Sequence, residues 1–210
     1  KAAGTDPDKF QELLSFLLRY GLVVVLGLAL MIFVVYPLIA SIGIKGMTPG
    51  KFLKAMRDAQ ITAFSTSSSV ATLPVTMRCV HDNIGVSERT TSFVLPIGAT
   101  VNMDGTSLYQ AVAVVALAQF HMVELSLAQQ AVIVLTATLA SIGAAAIPSA
   151  GLVLMIIVLE SVGLNPAWIA LIFPIDRILD MCRTVVNVTG DGTVSALVAQ
   201  SEGELDAPAA

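Results

Sequence analysis

From Leu13 to Ile44 the chain carries one charge, Arg19, in a run that is otherwise almost entirely apolar. As a helix this run would rise about 48 Å, well beyond the roughly 30 Å of hydrocarbon in a bilayer. Tyr36 and Pro37 fall late in it, where neighbouring helices can absorb a kink. Lys45, Lys51, Lys54 and Arg57 follow at once, a denser cationic flank than the preceding end carries. The positive-inside rule then puts residues 45–57 in the cytoplasm, and Arg78 and Arg89 extend the bias.

The rest of the chain agrees with lipid as solvent. It has 210 residues, 56% hydrophobic and 12% charged, against about 25% charged in soluble domains. Apolar stretches over roughly 13–43, 93–119, 127–163 and 167–200 leave room for at least three full spans. A net charge of -4 without a basic patch excludes a nucleic-acid partner. Two cysteines, Cys79 and Cys182, are too few for a disulfide framework or a metal cluster. Lys1 to Asp8 has no feature of a signal peptide, and the first residue is not Met, so the chain reads as a piece of a longer one.

Two regions are apolar yet too short to cross. Between Pro49 and Gly85, two arms of some 15 residues flank a polar tip, Ser65 to Pro74. Such an arm rises only about 23 Å. Residues 127–163 repeat the form, with Leu127 to Leu139 and Leu152 to Val162 as arms and Ser141 to Gly151 as tip. Re-entrant helical hairpins are predicted for both, and each is followed by a helix, which makes a weak internal repeat. Non-helical backbone at membrane depth must line protein or water, because each orphaned amide or carbonyl costs several kcal/mol. Between the hairpins, Phe93 to Gln119 is broken by Asn102-Met103-Asp104-Gly105-Thr106. An Asp-Gly step is a poor helix interior, and freed carbonyls are what a desolvated cation needs.

The last apolar segment holds Asp176, Arg177, Asp180, Arg183, Asn187 and Asp191. Each charge facing lipid at mid-helix would cost about 2.5–3.5 kcal/mol. With Asp180 at zero and about 100° per residue, Arg183 lies near -60°, Thr184 near +40°, Asn187 near -20°, Asp191 near +20°, Asp176 near -40° and Arg177 near +60°. The polar set thus occupies an arc of about 120°, opposite a continuous apolar face. Mutual neutralisation accounts for Asp176, Arg177, Asp180 and Arg183, but not for Asp191, which has no cation within two turns, nor for Asp104 in the other broken span. Two unpaired carboxylates at membrane depth point to a bound cation.

Other classes fit less well. An intramembrane aspartyl protease wants Gly-x-Gly-Asp, and the chain reads Val188-Thr189-Gly190-Asp191. The serines at 67–69 lack a base, since His81 and His121 sit in loops. Asn187-Val188-Thr189 is a sequon inside a membrane segment, hence fortuitous. No catalytic residues are assigned.

Ser67-Ser68-Ser69 through Thr72-Leu73-Pro74, Asn102-Met103-Asp104-Gly105-Thr106, Ser141-Ile142-Gly143-Ala144-Ala145 with Pro148, and Asp180-Met181-Cys182-Arg183-Thr184 with Asn187-Val188-Thr189-Gly190-Asp191 occur in this order. Together they resemble the sodium-coupled glutamate/aspartate transporter family, in the form of a bacterial-type member. The resemblance covers about residues 13–204. It implies an all-α membrane protein of transmembrane helices plus two re-entrant hairpins with broken helices, of the inverted-repeat kind. The expected parts are a polar loop 1–12, a helix 13–44, a hairpin 49–85, a broken helix 93–119, a hairpin 127–163, a broken polar-faced helix 167–200 and a tail 205–210. Residues 13–204 would be the mobile transport domain, and the scaffold that builds a homotrimer would lie outside this chain.

The family implies sodium-coupled symport of acidic amino acids by alternating access, in the cell inner membrane, with substrate, sodium and lipid as partners and no cofactor beyond the coupling ions. Asp180 would take the substrate's amino group and Arg183 its side-chain carboxylate. Ser67, Ser68, Ser69, Thr106, Thr184, Asn187 and the tip backbone at Ile147 and Gly151 would complete the pocket. One sodium would sit at Gly98, Asn102, Asn187 and Asp191, a second at Thr100, Met103, Ser141, Ile142 and Ala144, and a third partly at Asn102 and Asp104. Two departures stand out. Where family members carry an arginine, this chain has Ser67 and Met181, so Arg177, one turn earlier, is expected to supply the charge near Asp180. Animal members carry a glutamate where this chain has Gln110, so that route of proton coupling looks absent. A dicarboxylate transporter of the same fold is the alternative, and a non-transporting scaffold subunit is the alternative of another class.

Overall fold

A computed structural model describes residues 7–144 and 148–205. The described residues are helical apart from short connections and one isolated bridge, Val86 to Leu205. Helix α1 spans Pro7–Leu30 and passes through a π-helical turn, Met31–Val35, into α2, Tyr36–Gly43. Together they form a 37-residue helix with a mean hydropathy of 2.9 in its most apolar part, the one described helix long and apolar enough to cross a membrane. Helix α1 begins at Pro7, so the expected polar loop over 1–12 is helical from there. Pro at the first position costs nothing, because that amide has no helical partner.

The two helical hairpins are α3 (Pro49–Thr66) with α4 (Ser69–Arg78), and α7 (Leu127–Ile142) with α8 (Ala150–Ser161). Thr48 caps α3 by accepting from the Lys51 amide at 3.3 Å, and Ser126 and Gln129 form a capping box at the start of α7. The 18, 10, 16 and 12 residues of these arms rise about 27, 15, 24 and 18 Å. Between the hairpins lie α5 (Glu88–Val101) and α6 (Asp104–Phe120), parted at Asn102 and Met103. A 3₁₀ turn, Pro166–Leu171, leads into α9, Phe173–Glu202.

Helix α9 departs from expectation in two ways. It is unbroken from Phe173 to Glu202, so its irregular part is the turn ahead of it and not the polar stretch. Its middle is also buried on every side, with Arg183 through Thr193 all inaccessible, where the sequence gives one polar and one apolar face. Small residues are the cause. A Cβ at Gly192 would come within 2.5 Å of Met56 Cε, so α3 closes directly on α9 there, while α1, α2, α5 and α6 cover its other sides.

The end of α9 is clasped to the start of α5. Glu204 accepts from Thr90 Oγ1 at 2.5 Å and Ser87 Oγ at 2.7 Å, and its carbonyl takes the Ser87 amide at 3.0 Å. These two hydroxyls, with Arg89 adding its charge at 3.2 Å, hold the Glu204 carboxyl below its ordinary value.

Candidate functional site

The first tip turns at Ser67, a non-glycine residue with φ of 51°. Ser68 then caps α4 by accepting from the Ala71 amide at 3.2 Å. The second turns at Ser149, with φ of 61°. Left-handed backbone at a residue with a Cβ is costly and tends to mark functional turns. Both tips point at the middle of α9, where they enclose a cavity of about 20 Å3 with the start of α6. Ser67 and Ser69, Met103 and Thr106, Ala144, Ala150 and Gly151, and Asp180, Arg183, Thr184 and Asn187 line it. The Ser67 hydroxyl is buried with no partner among the described residues, a donor aimed where a ligand oxygen would satisfy it. Ser68 does not line the cavity, because its side chain is spent on the cap. Ile147 lies outside the described residues.

The charges in the cavity wall pair with one another. Arg183 Nε donates to Asp180 Oδ1 at 2.7 Å, and Arg183 Nη1 approaches Asp176 Oδ1 at 3.5 Å. The guanidinium also stacks 4.3 Å from the centre of the Tyr109 ring. Asp176 is itself held by Tyr109 Oη and Ser149 Oγ, both at 2.8 Å, and the Ser149 amide donates to Asp180 Oδ2 at 2.8 Å. Ser149 therefore ties the second tip to both carboxylates. Gln110 adds a second tie, its Nε2 donating to the Gly151 carbonyl at 2.8 Å. A cavity of about 20 Å3 has room for about one water.

Asp176, Tyr109, Ser149 and Gln110 are the contacts the sequence did not single out as site residues. Two signals were available: Asp176 shares the polar arc of α9, and Gln110 stands where animal members of the family this chain resembles carry a glutamate. Arg177 stays at the edge of that arc, its side chain 56% exposed and its Nη1 paired with Asp180 Oδ2 at 3.9 Å.

A second polar cluster sits beyond Asn187. Asn102 Nδ2 donates to Asp191 Oδ1 at 2.9 Å and reaches the Asn187 carbonyl at 3.3 Å. A Cβ on Gly98 would stand 2.7 Å from Asp191 Oδ1, so only glycine lets α5 approach the carboxylate. Gly98, Asn102, Asn187 and Asp191 are thus drawn together. Asp104 joins from the start of α6, where its Oδ2 accepts from Tyr36 Oη at 2.5 Å. Two carboxylates, side-chain amides and carbonyls freed at the α5–α6 break are the donor set of a hard cation. The remaining expected ligands are less closely joined. Met103 Sδ accepts from Asn187 Nδ2 at 3.2 Å, and Ala144 is buried at the cavity edge. Ser141 turns its hydroxyl to Thr138. Thr100 is exposed and donates to Ile97, and Ile142 is also exposed.

Asn187 links the two clusters. Its Oδ1 accepts the Gly105 amide at 2.8 Å, its side chain lines the cavity, and its carbonyl faces Asn102. A Cβ on Gly105 would collide with the Arg183 carbonyl, so α6 and α9 cross backbone against backbone between the clusters.

Comparison with known proteins agrees on this stretch of chain. It is 48% identical to the excitatory amino acid transporter of Caenorhabditis elegans over 91% of its length. It is 50% identical to excitatory amino acid transporter 4 of Mus musculus, and 49% identical to excitatory amino acid transporter 3 of Oryctolagus cuniculus, each over 89%. The chain spans 38%, 33% and 36% of these relatives' own lengths. The profile of the sodium:dicarboxylate symporter family matches residues 4–201, across both hairpins and both polar clusters, and the chain belongs to that family.

Proposed function

We propose that this chain forms the substrate- and ion-binding part of a sodium-coupled symporter of acidic amino acids that works by alternating access. The observation that carries the reading is the pair of clusters joined through Asn187: a guanidinium and carboxylates closed over by two hairpin tips, and beside them two further carboxylates with amide and carbonyl oxygens. Arg183 recognises the substrate's side-chain carboxylate as a planar fork, and Asp180 its ammonium group. Asp191, Asn102, Asn187 and Asp104 hold sodium. Because Asn187 contributes to both clusters, sodium and substrate favour the same arrangement of α6 and α9. Coupling follows, since a ligand shifts an equilibrium only by its differential affinity for the two states.

The second hairpin is the moving element in this proposal. Ser149 leaves Asp176 and Asp180 as the tip lifts, and Arg183 turns from them to the incoming carboxylate. The hairpins re-enter the bilayer without crossing it, consistent with arms shorter than the hydrocarbon core. The protein sits in the cell inner membrane and assembles as a homotrimer, as the resemblance implies.

One observation favours a C4-dicarboxylate as the alternative substrate. Both Asp180 oxygens already accept, from Arg183 Nε and from the Ser149 amide, and a substrate without an ammonium group fits if those two bonds persist once it is bound. Thermal unfolding of the intact purified protein with aspartate, glutamate, succinate and serine, each with and without sodium, separates the readings. Stabilisation by aspartate or glutamate only with sodium is expected. Stabilisation by succinate alone among the four transfers the function to dicarboxylates, and none by any of them removes the transport reading.

A further inference from the structure

The π-helical turn at Met31–Val35 interrupts the longest described helix just ahead of Pro37, a residue that an uninterrupted α ladder does not accommodate, and it also changes which side chains face inward. The residues buried along this helix are Tyr20, Val24 and Leu28 before the turn, and Tyr36, Pro37 and Ala40 after it, with Ile44 buried just past its end. In uninterrupted α geometry, Tyr36 would lie about 80° round the axis from Leu28. A π turn holds one extra residue, which takes back about 100° and brings Tyr36 within about 20° of Leu28. The Tyr36 amide reaches Met31 O across the wide turn, and Pro37 follows as the second residue of the next helix, where the widened turn accommodates the ring and the amide hydrogen that proline lacks. The backbone thus departs from α geometry just where that returns Tyr36 to the buried face.

There the Tyr36 hydroxyl donates to Asp104 Oδ2 at 2.5 Å, and Tyr36 is 5% exposed. Helix α9 makes room for it: a Cβ on Gly190 would lie 2.8 Å from Tyr36 Oη and 2.6 Å from Asn102 Nδ2. Tyr36 therefore stands between the carboxylate that opens α6 and the Asn102–Asp191 pair.

We propose that Tyr36 is a positioning residue of the cation cluster: its hydroxyl fixes the Asp104 carboxylate by one oxygen and leaves the other turned to the ion. This rests on the sodium-coupled reading above. A carboxylate free to rotate must be ordered each time an ion binds, whereas one held by a buried donor is ordered in advance. Fixing it also makes α2 part of the ion-sensing structure, although no residue of α2 lines the substrate cavity.

The test is thermal unfolding of the full-length protein titrated with sodium chloride at constant ionic strength, for the wild type, Tyr36→Phe, Asp104→Asn and the double variant. Tyr36→Phe keeps the ring and removes only the donor. Its half-saturating sodium concentration is expected to rise at least about fivefold, as for loss of a hydrogen bond to a charged group. Its aspartate affinity at saturating sodium is expected to stay at the wild-type value, which a merely structural role would not spare. In the Asp104→Asn background the same change is expected to shift sodium dependence less than twofold. A sodium midpoint that is unchanged or lower in Tyr36→Phe overturns the inference, as does an equal shift in both backgrounds. A Tyr36→Phe protein that no longer folds also overturns it, in favour of a packing role. If the wild type shows no sodium response, the symporter reading is what fails.

Discussion

Replacing Arg183 by alanine isolates what the buried charge cluster costs and contributes. Arg183 is 2% exposed and lies 2.7 Å from Asp180 and 3.5 Å from Asp176. At an effective dielectric near 20, these pairs gain about 6 and 5 kcal/mol of Coulomb attraction. Desolvating three charged groups costs several kcal/mol apiece, so the intact cluster comes out near balance. The variant does not, because two carboxylates remain buried without their cation, a loss of about 3–5 kcal/mol. At about 2–4 °C per kcal/mol, the melting temperature of the detergent-purified protein should fall by about 6–20 °C. Converting Asp176 and Asp180 to asparagine in the same variant removes the uncompensated charge and should recover at least half of that loss. A fall below about 2 °C for Arg183→Ala, or no recovery in the triple variant, would refute the claim that these carboxylates are desolvated and held by Arg183.

Gly105→Ala should destabilise the protein by about 1–3 kcal/mol or more, since the new methyl meets the Arg183 carbonyl, which is backbone and cannot swing aside; thermal unfolding reads it directly. Arg177→Ala should change stability by less than about 1 kcal/mol, as expected of an exposed pair at 3.9 Å. If Arg177 lends its charge to Asp180 during binding, uptake should fall all the same, and steady uptake sinks that role. The Glu204 clasp should be pH-dependent. A carboxyl held below its ordinary value by Thr90 and Ser87 adds stability that is fully present above the unfolded value of about 4.3 and lost as pH falls through the lower folded one. Protection of the Ser87 amide, which donates to the Glu204 carbonyl, should therefore fall on acidification once exchange rates are corrected for their intrinsic pH dependence, and Glu204→Gln should abolish that loss.

The cation cluster shows how much of a site can be read from local cost. Asp191 and Asp104 stand out in the sequence because a carboxylate in an apolar run must be sheltered, and the break at Asn102-Met103 is visible because Asp-Gly is poor helix. Tyr36 was invisible by the same logic. A tyrosine late in an apolar helix reads as packing or as an interface anchor, and nothing local shows that a π turn rotates it toward a residue 68 positions away. Ser149 was hidden too, since a serine at a polar tip has no preferred partner until the tip meets α9.

Helix α9 divides what was determined at each level. Its sequence determined that Asp176, Asp180, Arg183, Thr184, Asn187 and Asp191 share one arc and must avoid lipid, because the 3.6-residue period and the cost of a charge in hydrocarbon are local properties. All six are buried. Only the tertiary structure decided how they are sheltered: Arg183 turned back on Asp180 and Asp176, Tyr109 and Ser149 closing that group, and Arg177 left at its exposed edge. The reason is that a buried charge needs a partner within a few ångströms, and here that distance is set by α3, α6 and the second hairpin closing on α9 from far along the chain.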